Sequence, residues 1–378
     1  MPVTRVGIVG ASLSGGWALQ SHVPALLALP GFEIVAVSTT RLSSAERTAQ
    51  HFGVLNFYDS TDALAADPLV DLVTVTVKIP DHEAAVSAAI AARKNVYCEW
   101  PLGVNTAQAA DLRDRANAAG IQTVIGLQAR ATPTLRFLRD LLVSGYLGDR
   151  ILSVHASSTG FGNGGPILAP DREWAADDAN GLSALTVRTA HTLDAVQFCV
   201  GSIETVSADV RVATPFPAIG DTGRLVERTA PDQVLIQGSL AGGGTLTGRF
   251  LLGVRGDNTP LLTIHGTDGT IIVAGEGDEP QIQMASLRLL AARRNSSFEE
   301  LTVPRRYIRT PQDLAAGAPS SVGENYLGMA AADTSPPSPG FNDAVALHML
   351  LDLIRLASVT GERQVAVGPQ PEIPARSC

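Results

Sequence analysis

"VGIVGASLSGGWALQSHVPAL", residues 6–26, decides how this chain is read. "RVGIVG" (5–10) has the composition of a buried strand that stops on a glycine. Gly10, Ser12 and Gly15 then fall on the three glycine places of G-x-G-x-x-G. In such a turn backbone N–H groups and a helix N-terminus face a pyrophosphate. Serine in the middle place narrows the approach and leaves it open. The motif alone also describes an ordinary strand, turn and helix, so the residues that follow carry the weight.

They alternate. "FEIVAVST" (32–39), "VDLVTVTV" (70–77), "NVYCE" (95–99) and "QTVIGLQ" (122–128) are apolar runs of the kind found in parallel strands covered on both faces. Between them lie Ala-rich helices such as "DHEAAVSAAIAA" (81–92) and "TAQAADLRDRANAA" (106–119). The second has Asn105 as N-cap, Gln108 three residues on, and Gly120 past its end. This predicts an α/β chain with an N-terminal Rossmann domain, a doubly wound parallel sheet, over residues 1–128.

From about residue 130 the texture changes. An amphipathic helix with Leu135, Leu138 and Leu142 on one stripe leads into the strand "ILSVHASS" (151–158). Strands at 204–213, 233–253 and 261–275 follow, joined by Gly-rich turns that include Asp268-Gly269. Residues 129–378 therefore read as a C-terminal α+β domain for substrate and oligomerisation, with a large, mostly antiparallel open sheet. Within it, 292–340, rich in Pro, Ser, Gly and Ala, reads as a long loop, and 342–358 as a helix packing back.

Composition excludes several classes. Hydrophobic residues make up 45% of the 378 and charged ones 17%, with no apolar run long enough for a bilayer and no basic apolar leader. The expectation is a soluble, cytoplasmic protein with no membrane partner. A net charge of −9 argues against direct nucleic-acid binding through a basic face. Cys98, Cys199 and Cys378 are too scattered for a disulfide framework or a metal site, and read as inert thiols.

At the end of the second strand, where a carboxylate normally meets the ribose hydroxyls, stand Ser38, Thr39, Thr40 and Arg41. Hydroxyls and a guanidinium, with no acid to repel a 2′-phosphate, favour NADP, with NAD the other option.

At this point the residues carry a resemblance. "IPDHEAAVSAAIAA" and "KNVYCEWPLG" resemble the P-x-H and Glu-Lys-Pro segments of the glucose-fructose oxidoreductase, inositol dehydrogenase and rhizopine-catabolism (Gfo/Idh/MocA) superfamily. Within it, "GWA", "QTVIGLQAR", "GYLGD", "AHTLD", "DQVLIQG" and "IHGTDG" follow the order of the fungal galactose-pathway co-repressor-like branch, from about residue 6 to 358. The resemblance implies oxidoreductase ancestry and a nicotinamide cofactor. It also exposes two departures. Trp100 stands at the lysine of Glu-Lys-Pro, and Val187 at an aspartate four residues before His191. Neither can exchange a proton at neutral pH, so the superfamily's proton relay cannot run unchanged.

What remains is the helix with Arg188, His191 and Asp194, expected on one stripe and taken as the candidate catalytic set. A histidine of ordinary pKa, about 6.5, would serve as general acid to a carbonyl, with Asp194 orienting the ring and Arg188 binding a polar or anionic substrate. The candidate cofactor set is Gly10, Ser12, Leu13, Gly15, Ser38, Thr39, Thr40, Arg41, Val77, Lys78, His82, Glu99, Trp100 and Gln128. In it, Lys78 donates to the cofactor or is an exposed strand-end charge. Glu99 touches a ribose or caps its strand, and Trp100 stacks near the nicotinamide or lines the substrate cavity. Gln128 and Arg130 end the last strand. His22 and His82 also read as helix-entry residues, and His265 and His348 as ordinary positions without chemistry. "GFGNGG" (160–165) is a lid or a plain turn.

Two functions are compatible with these residues. One is an NADP-dependent oxidoreductase acting on a sugar, polyol or related carbonyl compound. The other is a non-catalytic nucleotide-binding regulator with a protein partner. A homodimer or homotetramer through the open sheet face is expected for either.

Overall fold

The computed structural model describes residues 3–366 except 161, 163, 256–260, 278, 295 and 332–337. Cys378 and parts of the 160–165 and 292–340 segments thus lie outside the described residues. The chain forms two compact units: residues 1–131 with 309–345, and residues 132–308 with 346–378.

The first unit is built on six parallel strands: β1 (Thr4–Val9), β2 (Phe32–Ser38), β3 (Asn56–Tyr58), β4 (Leu72–Val75), β5 (Asn95–Cys98) and β6 (Thr123–Ile125). Their order is β3-β2-β1-β4-β5-β6, with the reversal beside β1 that marks a Rossmann sheet. β3 was not visible in the sequence pattern, being three residues long and half-buried throughout. The helix Thr106–Ala119 is capped as expected, with Asn105 accepting from the Gln108 N–H at 2.9 Å and Gly120 in the left-handed region at φ 66°.

The segment expected as a loop differs most. It contains a strand, Glu299–Leu301, and a 13-residue helix, Ala318–Ala330. That helix belongs to the first unit, where Val322, Tyr326 and Met329 join the core with Val6, Ile8, Leu26, Tyr97 and Val124.

The second unit carries a nine-stranded sheet, antiparallel except where Ile151–Gly160 (β7) runs parallel to Thr245–Leu252. Leu135, Leu138 and Leu142 bury one face of the helix Pro133–Val143, as their stripe predicts. The 342–358 helix runs from Phe341 to Thr360. No helix among the described residues is long and apolar enough to cross a membrane.

Candidate functional site

The turn after β1 is longer than a plain G-x-G-x-x-G turn, because helix begins only at Ala18. Gly10 sits at φ 94°, its N–H donating to the Ser38 carbonyl at 2.9 Å. A Cβ there would stand 3.0 Å from Thr76 Oγ1 and from Val77 Cγ1, so only glycine fits between the β1 and β4 ends. Gly15 and Gly16 also have positive φ, 113° and 122°, yet a Cβ at either meets nothing within 4 Å. These two leave open space beside the turn, the cradle a pyrophosphate requires. Ser12 Oγ lies 2.8 Å from Ser14 Oγ, and Leu13 is exposed.

At the β2 end Ser38 is buried, Thr39 half-buried, and Thr40 and Arg41 exposed. The Thr39 hydroxyl donates to the Arg41 carbonyl at 2.9 Å, holding Arg41 at the start of the helix Leu42–Phe52. The residues at the β1 and β2 ends therefore fit a dinucleotide. Lys78 is exposed and Val77 half-buried.

Two residues of the expected cofactor set make hydrogen bonds within the protein. His82 is buried, with Nδ1 2.8 Å from the Pro101 carbonyl and Nε2 3.1 Å from the Val77 carbonyl. Burial lowers its pKa, against the pull of those two carbonyls. It ties the loops after β4 and β5 together from inside and opens the helix His82–Ala91, the helix-entry place its sequence suggested. Glu99, read from the sequence as a ribose contact or a strand cap, places Oε1 2.9 Å from His22 Nε2. His22 is fully buried and its Nδ1 lies 2.8 Å from the Tyr326 hydroxyl, which lies 2.9 Å from Thr74 Oγ1. His22, read from the sequence as a helix-entry residue, precedes the helix Val23–Ala28, and its partners are remote in sequence. Its one local signal is its place in a π-helical turn, Ala18–His22.

Trp100 is 6% exposed, within the core rather than on a surface. Gln128 is buried and its Oε1 has no hydrogen-bond partner. Arg130 pairs with Asp343 at 2.7 Å. Cys98 and Cys199 are buried free thiols, and burial raises the Cys98 pKa well above the ordinary thiol value.

In the second unit Arg188 lies in another π-helical turn, Ala184–Thr189, opened by a Ser183/Thr186 capping box. The helix Ala190–Cys199 follows and carries His191 and Asp194. The wider turn breaks the 3.6-residue period through Arg188 on which the single stripe was expected. His191 is 5% exposed, and burial pushes its pKa down to about 3. Among the described residues its Nδ1 has no hydrogen-bond partner, so Asp194, itself buried, does not orient the ring through that nitrogen. The expected imidazolium acid is therefore replaced by a neutral ring at physiological pH. Val187 is half-buried.

Residues 4–127 match the model of the oxidoreductase family with an NAD-binding Rossmann fold, and residues 133–275 that of the Gal80p C-terminal domain. Both matches agree with the Gfo/Idh/MocA superfamily, near its Gal80-like branch. Among Gfo/Idh/MocA relatives, the galactose/lactose metabolism regulatory protein GAL80 of Saccharomyces cerevisiae is 27% identical over 312 residues, 77% of this chain and 71% of that protein. Dehydrogenase aclE of Aspergillus oryzae is 35% identical over 235 residues, 58% of this chain and 60% of that enzyme. The crystal structure of a super-repressor mutant of Gal80p from S. cerevisiae superposes with a TM-score of 0.84 at 22% identity, covering 97% and 98% of the two chains, which shows a shared fold.

Proposed function

We propose that the protein is an NADP-dependent oxidoreductase that interconverts a hydroxyl and a carbonyl group on a sugar, polyol or related compound. The observation that carries this reading is the β1 turn, where glycine is required at residue 10 and space is left open at residues 15 and 16, within a segment matching NAD-binding oxidoreductases. Ser38, Thr39, Thr40 and Arg41 hold the adenosine end, and the hydroxyls with Arg41 favour the 2′-phosphate. Bound in that turn, the dinucleotide supplies a nicotinamide that accepts or donates hydride. Trp100 and Gln128 shape its surroundings.

His191, neutral at pH 7, acts as a hydrogen-bond donor to the carbonyl oxygen that gains charge. It lends no positive charge and stabilises the same transition state in both directions, the proton that converts the alkoxide to the alcohol coming from solvent water. Arg188 binds the polar end of the substrate.

The test follows nicotinamide absorbance with NADPH, and separately NADH, against keto-sugars and small carbonyl compounds. Oxidation that requires the protein and falls at least about 100-fold in His191→Gln supports the reading. Binding of nucleotide without turnover across the panel overturns it.

That second outcome supports the other reading, a nucleotide-binding regulator acting through protein contact. The specific observation in its favour is the pair Trp100 and Val187, neither of which handles a proton, together with the likeness to GAL80.

A further inference from the structure

Two arginines are buried beside the glycine-rich segment that follows β7, and they are treated in opposite ways. Arg228, 4% exposed, is compensated: Asp232 Oδ2 lies 3.3 Å from its Nη1, and the carbonyls of Gly165 and Thr214 each accept from it at 3.2 Å. The guanidinium of Arg188, a residue 5% exposed, has one hydrogen-bond partner among the described residues, Ser158 Oγ, at a long 3.4 Å from Nη1. Ser158 gives its own proton to the Pro280 carbonyl at 2.6 Å, so its hydroxyl faces the guanidinium as an acceptor.

No acidic side chain among the described residues forms an ion pair with Arg188. Glu279 acts on it from farther away, while its Oε1 accepts from the Gln281 N–H at 3.0 Å. Burial accordingly lowers the guanidinium pKa to about 10. The backbone has been kept clear of the group: a Cβ at Gly162 would stand 2.8 Å from Nη2, and one at Gly160 would stand 3.3 Å from Nη1. A guanidinium carries five N–H donors in a rigid fork. Keeping it buried and largely unbonded costs stability, and a bound anion offsets that cost.

We propose that Arg188, with its guanidinium positioned by Ser158, forms a carboxylate subsite, and that the substrate is a hydroxy or keto acid of the sugar-acid class. This rests on the reading of the second unit as the substrate-binding part of an oxidoreductase. One fork and one positive charge match a monoanionic carboxylate bidentately. The negative field of Glu279 opposes the second charge that a phosphate dianion would bring.

The experiment measures binding to the full chain, by calorimetry and thermal unfolding, of glycolate, L-lactate, D-glycerate and D-gluconate. Each is paired with its uncharged counterpart: ethane-1,2-diol, propane-1,2-diol, glycerol and D-glucitol. We expect at least one acid to bind ten or more times tighter than its partner, a difference that Arg188→Gln removes and Ser158→Ala reduces. Arg188→Met, which keeps length and removes charge, is expected to leave the ligand-free Tm at or above that of the wild type while abolishing the preference. No acid outbinding its partner, a preference that survives loss of the guanidinium, or a fall in Tm of more than about 10 °C in Arg188→Met each overturns the subsite. If uncharged carbonyl compounds turn over while acids neither bind nor react, the subsite fails and the oxidoreductase reading stands. If acids bind through Arg188 and nothing turns over, the subsite stands and that reading fails.

Discussion

His22 Nε2 lies 2.9 Å from Glu99 Oε1 while its Nδ1 lies 2.8 Å from the hydroxyl of Tyr326, 304 residues further along the chain. One fully buried ring thus joins the end of β5 to the helix Ala318–Ala330. Tyr326→Phe leaves both His22 Nδ1 and Thr74 Oγ1 without that partner. The expected cost is about 1–3 kcal/mol, the usual range for orphaning a buried polar group. Urea unfolding measures it, and a loss below about 0.5 kcal/mol would show the chain of hydrogen bonds to be dispensable.

His191 sets a pH dependence whose sign is fixed by burial. Its folded pKa of about 3 lies below the unfolded value of about 6.5, so between these limits the unfolded chain binds a proton that the folded chain refuses. The stability concerned is fully present above pH ~6.5 and is lost as pH falls below it, at up to ~1.4 kcal/mol per pH unit. His348, pushed down to about 4, and His82 add the same sign. His191→Gln should flatten the slope between pH 6.5 and 4 without abolishing it. An unchanged slope in denaturant titrations would contradict a neutral, buried His191.

Cofactor choice is expected to rest on the exposed Arg41 at the β2 end. Arg41→Ala should weaken NADPH binding about tenfold, equal to ~1.4 kcal/mol, and leave NADH within about twofold. Fluorescence titration with both nucleotides decides this. Equal weakening of the two would place Arg41 away from the 2′-phosphate.

Asp232 is buried and accepts from the N–H groups of Ala213 and Thr214, at 2.6 and 3.0 Å, as well as pairing with Arg228. Asp232→Ala strands a buried guanidinium and two N–H donors, at an expected cost of about 3–5 kcal/mol. Arg228→Met with Asp232→Asn should recover part of that loss in thermal unfolding, since it removes both buried charges. No recovery would show that the ion pair itself, rather than its desolvated charge, sustains this region.

The Rossmann unit was legible where local rules decide the outcome. An apolar run ending on Gly10, the capping pair of Asn105 and Gly120, and alternation of strand and helix each speak within a few residues. The helix Ala318–Ala330 was not legible, because Val322, Tyr326 and Met329 have helical spacing but stand among Gly, Ser, Ala and Pro, which read as loop. For the candidate site, the sequence singled out Gly10, Arg188 and His191 as residue types in a pattern, and what burial does to His191 and Arg188 was not legible there. An ordinary histidine pKa is a property of the exposed ring, and neither the desolvation of His191 nor the partnering of His22 by Tyr326 is encoded nearby. Ser158 escaped notice for the same reason, being one of two serines ending an unremarkable strand.

The placement of Ala318–Ala330 in the first unit bears on how the protein is made. Residues 1–131 contain every strand of the Rossmann sheet, yet the core around Tyr97 is completed by side chains encoded more than 180 residues later. During synthesis the strands of the Rossmann sheet therefore emerge before the helix that completes their core. Contacts of such sequence separation form late and slow folding. A gene fragment cut after the sheet would yield an exposed apolar face and an unsatisfied His22, a product suited to chaperones and proteases rather than to nucleotide binding.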